Sequence, residues 1–190
     1  MNGSASVHLQ AFLKDPKGVA ALLPTAAPVV QRIASKVEPD SAGLIVEYGP
    51  GSGVLTRRLL ERLGRDGRLL AIERNADFAA RLGDTLADPR LIVVRESAQS
   101  VRDILRRLDL PQADCVLSGI PFFWLPPETA LEIVTKTHGA LKDGGRFVTY
   151  QVFYQSRRRL RVHLEKCFSE VRSEVDLRNL PPYRICEAIK

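Results

Sequence analysis

Short apolar runs alternate with stretches of helical spacing from Leu44 onward. The runs "LIVEY" (44–48), "RLLAIE" (68–73), "LIVVR" (91–95), "ADCVLSG" (113–119) and "GRFVTYQV" (145–152) read as strands. Between them the spacing predicts helices near 53–64, 75–87, 98–108 and 127–140, and an Arg-rich helix follows the fifth strand. "SEVRSEV" (169–175) and "RICEAIK" (184–190) are two further β-like segments, joined by "DLRNLPPY". Strands that alternate with helices need a crossover at each step, so the pattern predicts a mostly parallel sheet covered on both faces. The last two strands form an antiparallel hairpin at one end.

The residues before this alternation are of another kind. Leu9, Phe12 and Leu13 follow helical spacing up to a break at Asp15-Pro16, and Val29, Val30, Ile33 and Val37 form a second series. Thr25 or Ala27 with Pro28 opens that second helix. The expected division is a helical cap over residues 1–40 and one domain over 41–190, since 190 residues with 45% hydrophobic content suit a single core.

Charge and cysteines narrow the classes. A net charge of +6 invites an anionic partner: nucleic acid, a membrane surface or a phosphorylated molecule. The densest cluster, "SRRRLRVHLEK" at Ser156 to Lys166, reads first as the solvated face of a late helix. Cys115, Cys167 and Cys186 are odd in number and lack a CxxC pair, which argues against a disulfide framework or a zinc site and for reduced core residues; no metal is expected. There is no membrane-spanning apolar run, and "MNGSASVHLQ" lacks the layout of a secretory signal, so a cytoplasmic location is expected.

The chemistry centres on "EYGPGSG", Glu47 to Gly53, between the first strand and the first helix of the alternation. Open α/β sheets bind ligands at the carboxyl ends of their strands. The dinucleotide pattern Gly-x-Gly-x-x-Gly fails here, because Val54 or Thr56 stands where its third glycine belongs, and the Lys-Ser/Thr of a P-loop is missing. An acid ahead of the loop disfavours phosphate and favours a cation. S-adenosylmethionine carries an ammonium and a sulfonium, and the glycines let its amino-acid portion lie against the backbone. A second acid, Glu73, ends the second strand about 20 residues after Gly53, placed to bind ribose hydroxyls. A helix-capping or solvated strand-end acid is the competing reading of both carboxylates.

With these residues the chain resembles the class I S-adenosylmethionine-dependent methyltransferases over about residues 40–190, through "EYGPGSG", "AIERN", "VRESAQS" and "LSGIPF". More narrowly it is similar to the bacterial phospholipid N-methyltransferases, through "FLKDPKGVAALLPTA", "VEYGPGSGVLT", "SGIPF" and "NLPPYRI". Ribosomal RNA adenine dimethylases share the glycine loop. The resemblance implies a Rossmann-like α/β fold with a seven-stranded, mostly parallel sheet and an N-terminal helical extension. It implies S-adenosylmethionine as cofactor, held by Glu47, Tyr48, Gly49, Pro50, Gly51 and Gly53, by Glu73, Arg74 and Asn75, by Glu96, Ser97 and Ala98, and by Ser118. Family members usually carry Gly-Asp-Ala where this chain has Glu96-Ser97-Ala98, which leaves open whether Ser97 or Glu96 reads the adenine.

The acceptor is to be sought after the fourth strand. Adenine and glutamine methylating enzymes carry Asn/Asp-Pro-Pro/Ile-Tyr/Phe there; this chain has Ser118-Gly119-Ile120-Pro121-Phe122, without amide or carboxylate. A primary alkyl amine needs deprotonation more than activation, and Phe122, Phe123 or Trp124 offers an aromatic wall for a methylated cation, or equally a packed lid. Ser118, Gly119, Pro121, Phe122, His8 and Tyr150 are the catalytic candidates, with Tyr154 and the other histidines behind them. Phosphatidylethanolamine or its methylated derivatives are the expected substrates. Residues 7–23 and the arginines at 157–161 are candidates for contact with an anionic membrane at the inner face of the cell membrane. The sequence leaves the oligomeric state open, with a monomer favoured. RNA adenine N6-methylation and non-catalytic cofactor binding are the alternatives.

Overall fold

The computed structural model describes residues 26–153, 158–179 and 181–190. A seven-stranded sheet runs through it: β1 (Leu44–Tyr48), β2 (Arg68–Ile72), β3 (Leu91–Val94), β4 (Ala113–Ser118), β5 (Leu141–Val152), β6 (Glu170–Asp176) and β7 (Tyr183–Ile189). The order is β3-β2-β1-β4-β5-β7-β6. Strands β1 to β5 are parallel, and β7 pairs antiparallel with both β5 and β6. The alternation and the closing hairpin expected from the sequence are both present.

Among the described residues six helices cover the sheet: α1 (Ala27–Val37), α2 (Val54–Arg62), α3 (Ala76–Thr85), α4 (Val101–Arg107), α5 (Pro127–Ala140) and α6 (Arg158–Cys167). The central strand β1 is buried along its whole length, as a strand covered on both faces must be. Leu44, Val46 and Tyr48 face a core completed by Ile104, Ile133, Val134 and Leu164, on the side of α4, α5 and α6. Ile45, Leu117 and Val148 face a second core completed by Val29, Ile33, Leu55 and Leu59, on the side of α1 and α2. The series Val29 to Val37 is thus a helix packed on the sheet.

Two devices fix α1 in place. The carboxamide oxygen of buried Asn179 accepts the Ala26 N–H at 2.7 Å, while its amide nitrogen donates to the Pro181 carbonyl at 3.0 Å. The "NLPPY" turn therefore caps a helix some 150 residues away in sequence. Arg32 pairs with Glu174 at 3.0 Å and Lys36 with Glu187 at 3.4 Å, tying the outer face of α1 to β6 and β7. At the other end of the sheet Arg90 donates to the Leu60 carbonyl (2.9 Å) and the Leu63 carbonyl (2.5 Å), the open C-terminal acceptors of α2.

Two boundaries differ from the sequence pattern. Strand β5 starts at Leu141 rather than at 145, because Leu141 already pairs with Ala113 and Gly144, at φ 72°, absorbs the irregularity that follows. The helix expected from residue 98 opens with a 3₁₀ turn, Ala98–Ser100, because the Ser97 side chain accepts the Gln99 N–H and tightens it.

Candidate active site

The strand order reverses between β1 and β4, and their carboxyl ends form the crevice in which open α/β sheets bind ligands. Glu47, Gly49 and the tip of β4 meet there. Gly49, Gly51 and Gly53 all have positive φ, at 64°, 53° and 76°. At Gly53 the φ of 76° is one that side chains rarely adopt, and a Cβ would also lie 2.5 Å from Leu82 Cδ1, so the turn into α2 favours glycine.

Glu47 is buried to 1% exposure. Its Oε2 accepts the Thr56 hydroxyl at 2.7 Å, and its Oε1 is buried without a hydrogen-bond partner among the described residues. Burial, only partly offset by the Thr56 bond and reinforced by the nearby charge of Glu73, pushes its pKa up to about 7. Thr56 sits one turn into α2, among the buried positions Leu55, Leu59 and Leu60. Nothing in the glycine motif announced it; the signal was a hydroxyl residue on an otherwise apolar stripe.

Glu73 follows β2 and is 8% exposed. One carboxylate oxygen accepts the Gly51 N–H at 3.2 Å and the other accepts the Asn75 N–H at 2.9 Å. The acid thus clamps the glycine loop to the tip of β2. Asn75 in turn caps α3 by accepting from Asp77 N–H (2.9 Å) and Phe78 N–H (3.2 Å). Arg74 and Asn75 are exposed, and Pro50 is buried.

Tyr48 contributes through its main chain. Its side chain lies on the opposite face from Glu47, as strand alternation requires, packed edge-on to Phe147 at 6.4 Å. Thr137 gives its own proton to the Ile133 carbonyl (2.7 Å), so the Tyr48 hydroxyl donates to Thr137 Oγ1 at 3.1 Å. The Tyr48 carbonyl accepts the Gly119 N–H at 3.0 Å, which joins the tips of β1 and β4.

Beyond β3 the two adenine candidates part. Glu96 is ion-paired with Arg107 of α4. Ser97 Oγ accepts the Gln99 N–H at 3.3 Å and lies 3.2 Å from Gln99 Oε1, and Ala98 is buried behind it.

At the tip of β4, the hydroxyl of fully buried Ser118 accepts the Ile120 N–H at 3.2 Å. A Cβ at Gly119 would lie 2.4 Å from Tyr150 Oη and 3.3 Å from the Gly49 carbonyl, so the Tyr150 hydroxyl is seated against the two strand tips. Burial, the Glu47 charge and Tyr183 hold the Tyr150 phenol well above its ordinary pKa, so it stays protonated. Its ring packs edge-on against Tyr183 at 6.0 Å. Phe122 turns into the core, 5% exposed and edge-on to Phe147 at 6.3 Å. Trp124, 46% exposed, packs edge-on with Phe123 at 4.8 Å just beyond the tip of β4.

His138 packs against Phe168 at 5.2 Å, and His163 lies in α6; both are on the face of the sheet opposite Glu47. His8, Tyr154, residues 7–23 and Arg157 lie outside the described residues. Arg161 pairs with Glu165 along α6 at 2.6 Å. Cys115, Cys167 and Cys186 are free thiols. Among the described residues no helix is long and apolar enough to cross a membrane, and no cluster of metal-ligating side chains occurs.

The donor set fits S-adenosylmethionine. Glu47 Oε1 is a buried acceptor that no donor among the described residues satisfies, beside three left-handed glycines, and a cation satisfies it where a phosphate would be repelled. Helix α2 begins with no side-chain cap, so its first N–H groups carry the partial positive charge that a carboxylate complements.

Comparison with known proteins agrees. The family profile of ribosomal RNA adenine dimethylases matches residues 10–100. An ornithine lipid N-methyltransferase from Singulisphaera acidiphila is 29% identical over 93% of this chain and 91% of its own. Ribosomal RNA small subunit methyltransferase A from a Burkholderia species is 52% identical, but over only 28% of this chain and 20% of its own. Among solved structures, an O-methyltransferase from Bacillus cereus in complex with S-adenosylhomocysteine superposes with a TM-score of 0.72 at 14% identity, covering 100% of this chain and 92% of its own. The sheet order, the glycine cradle with its orphaned acid and these likenesses lead to one conclusion: the chain belongs to the class I S-adenosylmethionine-dependent methyltransferases, and S-adenosylmethionine is its cofactor.

Proposed function

We propose that the chain transfers methyl groups to the amine of phosphatidylethanolamine or a related amine-bearing lipid, at a membrane surface. The tip of β4 carries this reading. Ser118 spends its hydroxyl on Ile120 N–H, and Gly119, Ile120 and Pro121 follow, so that stretch offers no amide or carboxylate to hold a weakly basic ring amine. The end-to-end likeness to a lipid N-methyltransferase supports the same choice.

When bound, S-adenosylmethionine supplies an electrophilic methyl on sulfur. The protein has to align a neutral amine lone pair with it and exclude water. Glu47 and Glu73 orient the cation and the ribose; Gly119 permits close approach at the β4 tip; the Tyr150 hydroxyl, protonated and adjacent, accepts a hydrogen bond from the incoming amine. Each transfer breaks the methyl–sulfur bond, releases S-adenosylhomocysteine and leaves an ammonium that gives a proton to solvent before the next methyl; Phe123 and Trp124 provide an aromatic wall for that singly charged product, whose charge becomes permanent at the third methyl.

RNA adenine N6-methylation is the second reading, favoured by the dimethylase profile and the +6 charge. Mass spectrometry of lipids extracted from bacteria expressing the chain separates the two. Mass increments of one, two or three methyls on phosphatidylethanolamine or another amine lipid are expected, and an unchanged lipid profile with methylated adenine in RNA would reverse the assignment.

A further inference from the structure

A chain of polar side chains runs from the outside of α5 to the tip of β3. Lys136 pairs with Glu132 Oε1 at 2.7 Å, Gln99 Nε2 donates to Glu132 Oε2 at 2.5 Å, and Gln99 Oε1 lies 3.2 Å from Ser97 Oγ. Each link has a fixed direction. Lys136 and Gln99 both favour the ionised form of Glu132, which can then only accept. The Gln99 amide must therefore turn its nitrogen to Glu132 and its oxygen to Ser97. Ser97 in turn must donate its proton to Gln99 Oε1, and it already accepts the Gln99 main-chain N–H.

The order of the strands says what faces Ser97. A nucleoside whose cationic end lies at Glu47 of β1 and whose ribose lies at Glu73 of β2 brings its base to the next strand, β3. Glu96 is occupied by Arg107. This placement of the cofactor follows from the family assignment; it does not depend on which acceptor is methylated.

We infer that Gln99 and Glu132 are positioning residues that fix Ser97 Oγ as an acceptor, selecting a base with an exocyclic amine over one with an exocyclic oxygen. With its proton held by Gln99, the Ser97 oxygen presents only a lone pair. Adenine N6 donates to it, whereas the O6 of hypoxanthine meets lone pair against lone pair. A carboxylate needs no such device because it can only accept. A serine hydroxyl in that place can rotate and donate, and the Gln99–Glu132 pair removes that freedom.

Calorimetry of the full chain with S-adenosylhomocysteine and with S-inosylhomocysteine, its hypoxanthine counterpart, tests this without any acceptor or turnover. The wild-type chain is expected to prefer the adenine compound. Gln99→Leu frees the Ser97 hydroxyl to donate, so the preference should shrink by roughly three- to tenfold, the worth of one hydrogen bond. The exchange Gln99→Glu with Glu132→Gln reverses the bond between those two side chains but still leaves Ser97 facing only an acceptor, and should restore the preference. If Gln99→Leu does not fold, Glu132→Gln, at a partly exposed helix position, reads the same ratio, because its amide lets Gln99 turn over. Equal weakening of both ligands, with the ratio unchanged, would reduce the chain of bonds to a structural staple and overturn the inference. A wild-type protein that binds both compounds equally would overturn the base's placement as well, whereas the lipid reading stands or falls on lipid methylation alone.

Discussion

The Thr56 hydroxyl donates to Glu47 Oε2 at 2.7 Å and leaves Oε1 of the same buried carboxylate with no partner among the described residues. Half of the acid is satisfied by the fold and half is left for a ligand. The apo protein therefore holds Glu47 close to the boundary between its neutral and charged forms.

Replacing Thr56 by Val removes the donor and keeps the shape. Both oxygens of Glu47 then lack a protein partner, so the variant should lose about 1–3 kcal/mol of stability at neutral pH by urea denaturation. Cofactor binding should weaken too, since the carboxylate becomes harder to ionise.

The pH dependence has a definite sign. Glu47 in the folded apo protein keeps its proton up to about pH 7, while the unfolded chain releases it near 4.5. Between those values the folded state binds more protons, so this residue's contribution to stability falls as pH rises, by on the order of 3 kcal/mol across the window. Glu47→Gln should lack that slope, so the wild-type-minus-variant difference in stability should fall with pH across the same window. A cation at Oε1 reverses the preference, so S-adenosylmethionine affinity should rise with pH up to about 7, with proton release measurable by calorimetry in buffers of different ionisation enthalpy.

Glu73 clamps Gly51 and Asn75, and ribose recognition is the second task proposed for it. Glu73→Ala should weaken S-adenosylhomocysteine binding by about 1–3 kcal/mol, the loss of a charged acceptor, in a chain that still folds. Unchanged affinity in calorimetry would leave Glu73 with the clamp alone.

Gly119→Ala brings a Cβ to 2.4 Å from the Tyr150 hydroxyl and 2.9 Å from its ring carbon. The ring must move, at a cost of about 1–3 kcal/mol, and turnover should fall more than cofactor affinity. Combining it with Tyr150→Phe should recover part of the stability, because the nearest atom is gone. Stability that does not recover would show that the strand tips, rather than the tyrosine, limit the space.

Much of this could be read from the chain itself. The apolar runs place all seven strands, and the acids at 47 and 73 stand out because each interrupts or ends an otherwise buried strand. Alternation alone puts Glu47 and Tyr48 on opposite faces, although the motif names them together. What escaped the sequence depends on contacts between distant segments. Thr56 matters only because Gly53 turns α2 back over β1; Asn179 matters only because β7 brings its loop to Ala26; Gln99 and Glu132 meet only when α5 packs beside the β3 tip. Phe122 looks like its neighbour Phe123 in the sequence, and only the 3₁₀ turn, Phe122–Trp124, sends one inward while Trp124 stays exposed.

The membrane reading makes a separate demand on residues 1–23. Their deletion should reduce methylation of bilayer lipid more than methylation of a short-chain, dispersed lipid of the same headgroup. Equal loss on both substrates would assign the segment to the active site instead of to the membrane.

The most direct test of the whole account offers the purified chain methyl-labelled S-adenosylmethionine together with phosphatidylethanolamine vesicles and unmodified ribosomal RNA in one reaction. Label should appear in the lipid, as mono-, di- or trimethylated amine, and vanish with Glu47→Gln; label in the RNA, or in neither, would contradict it.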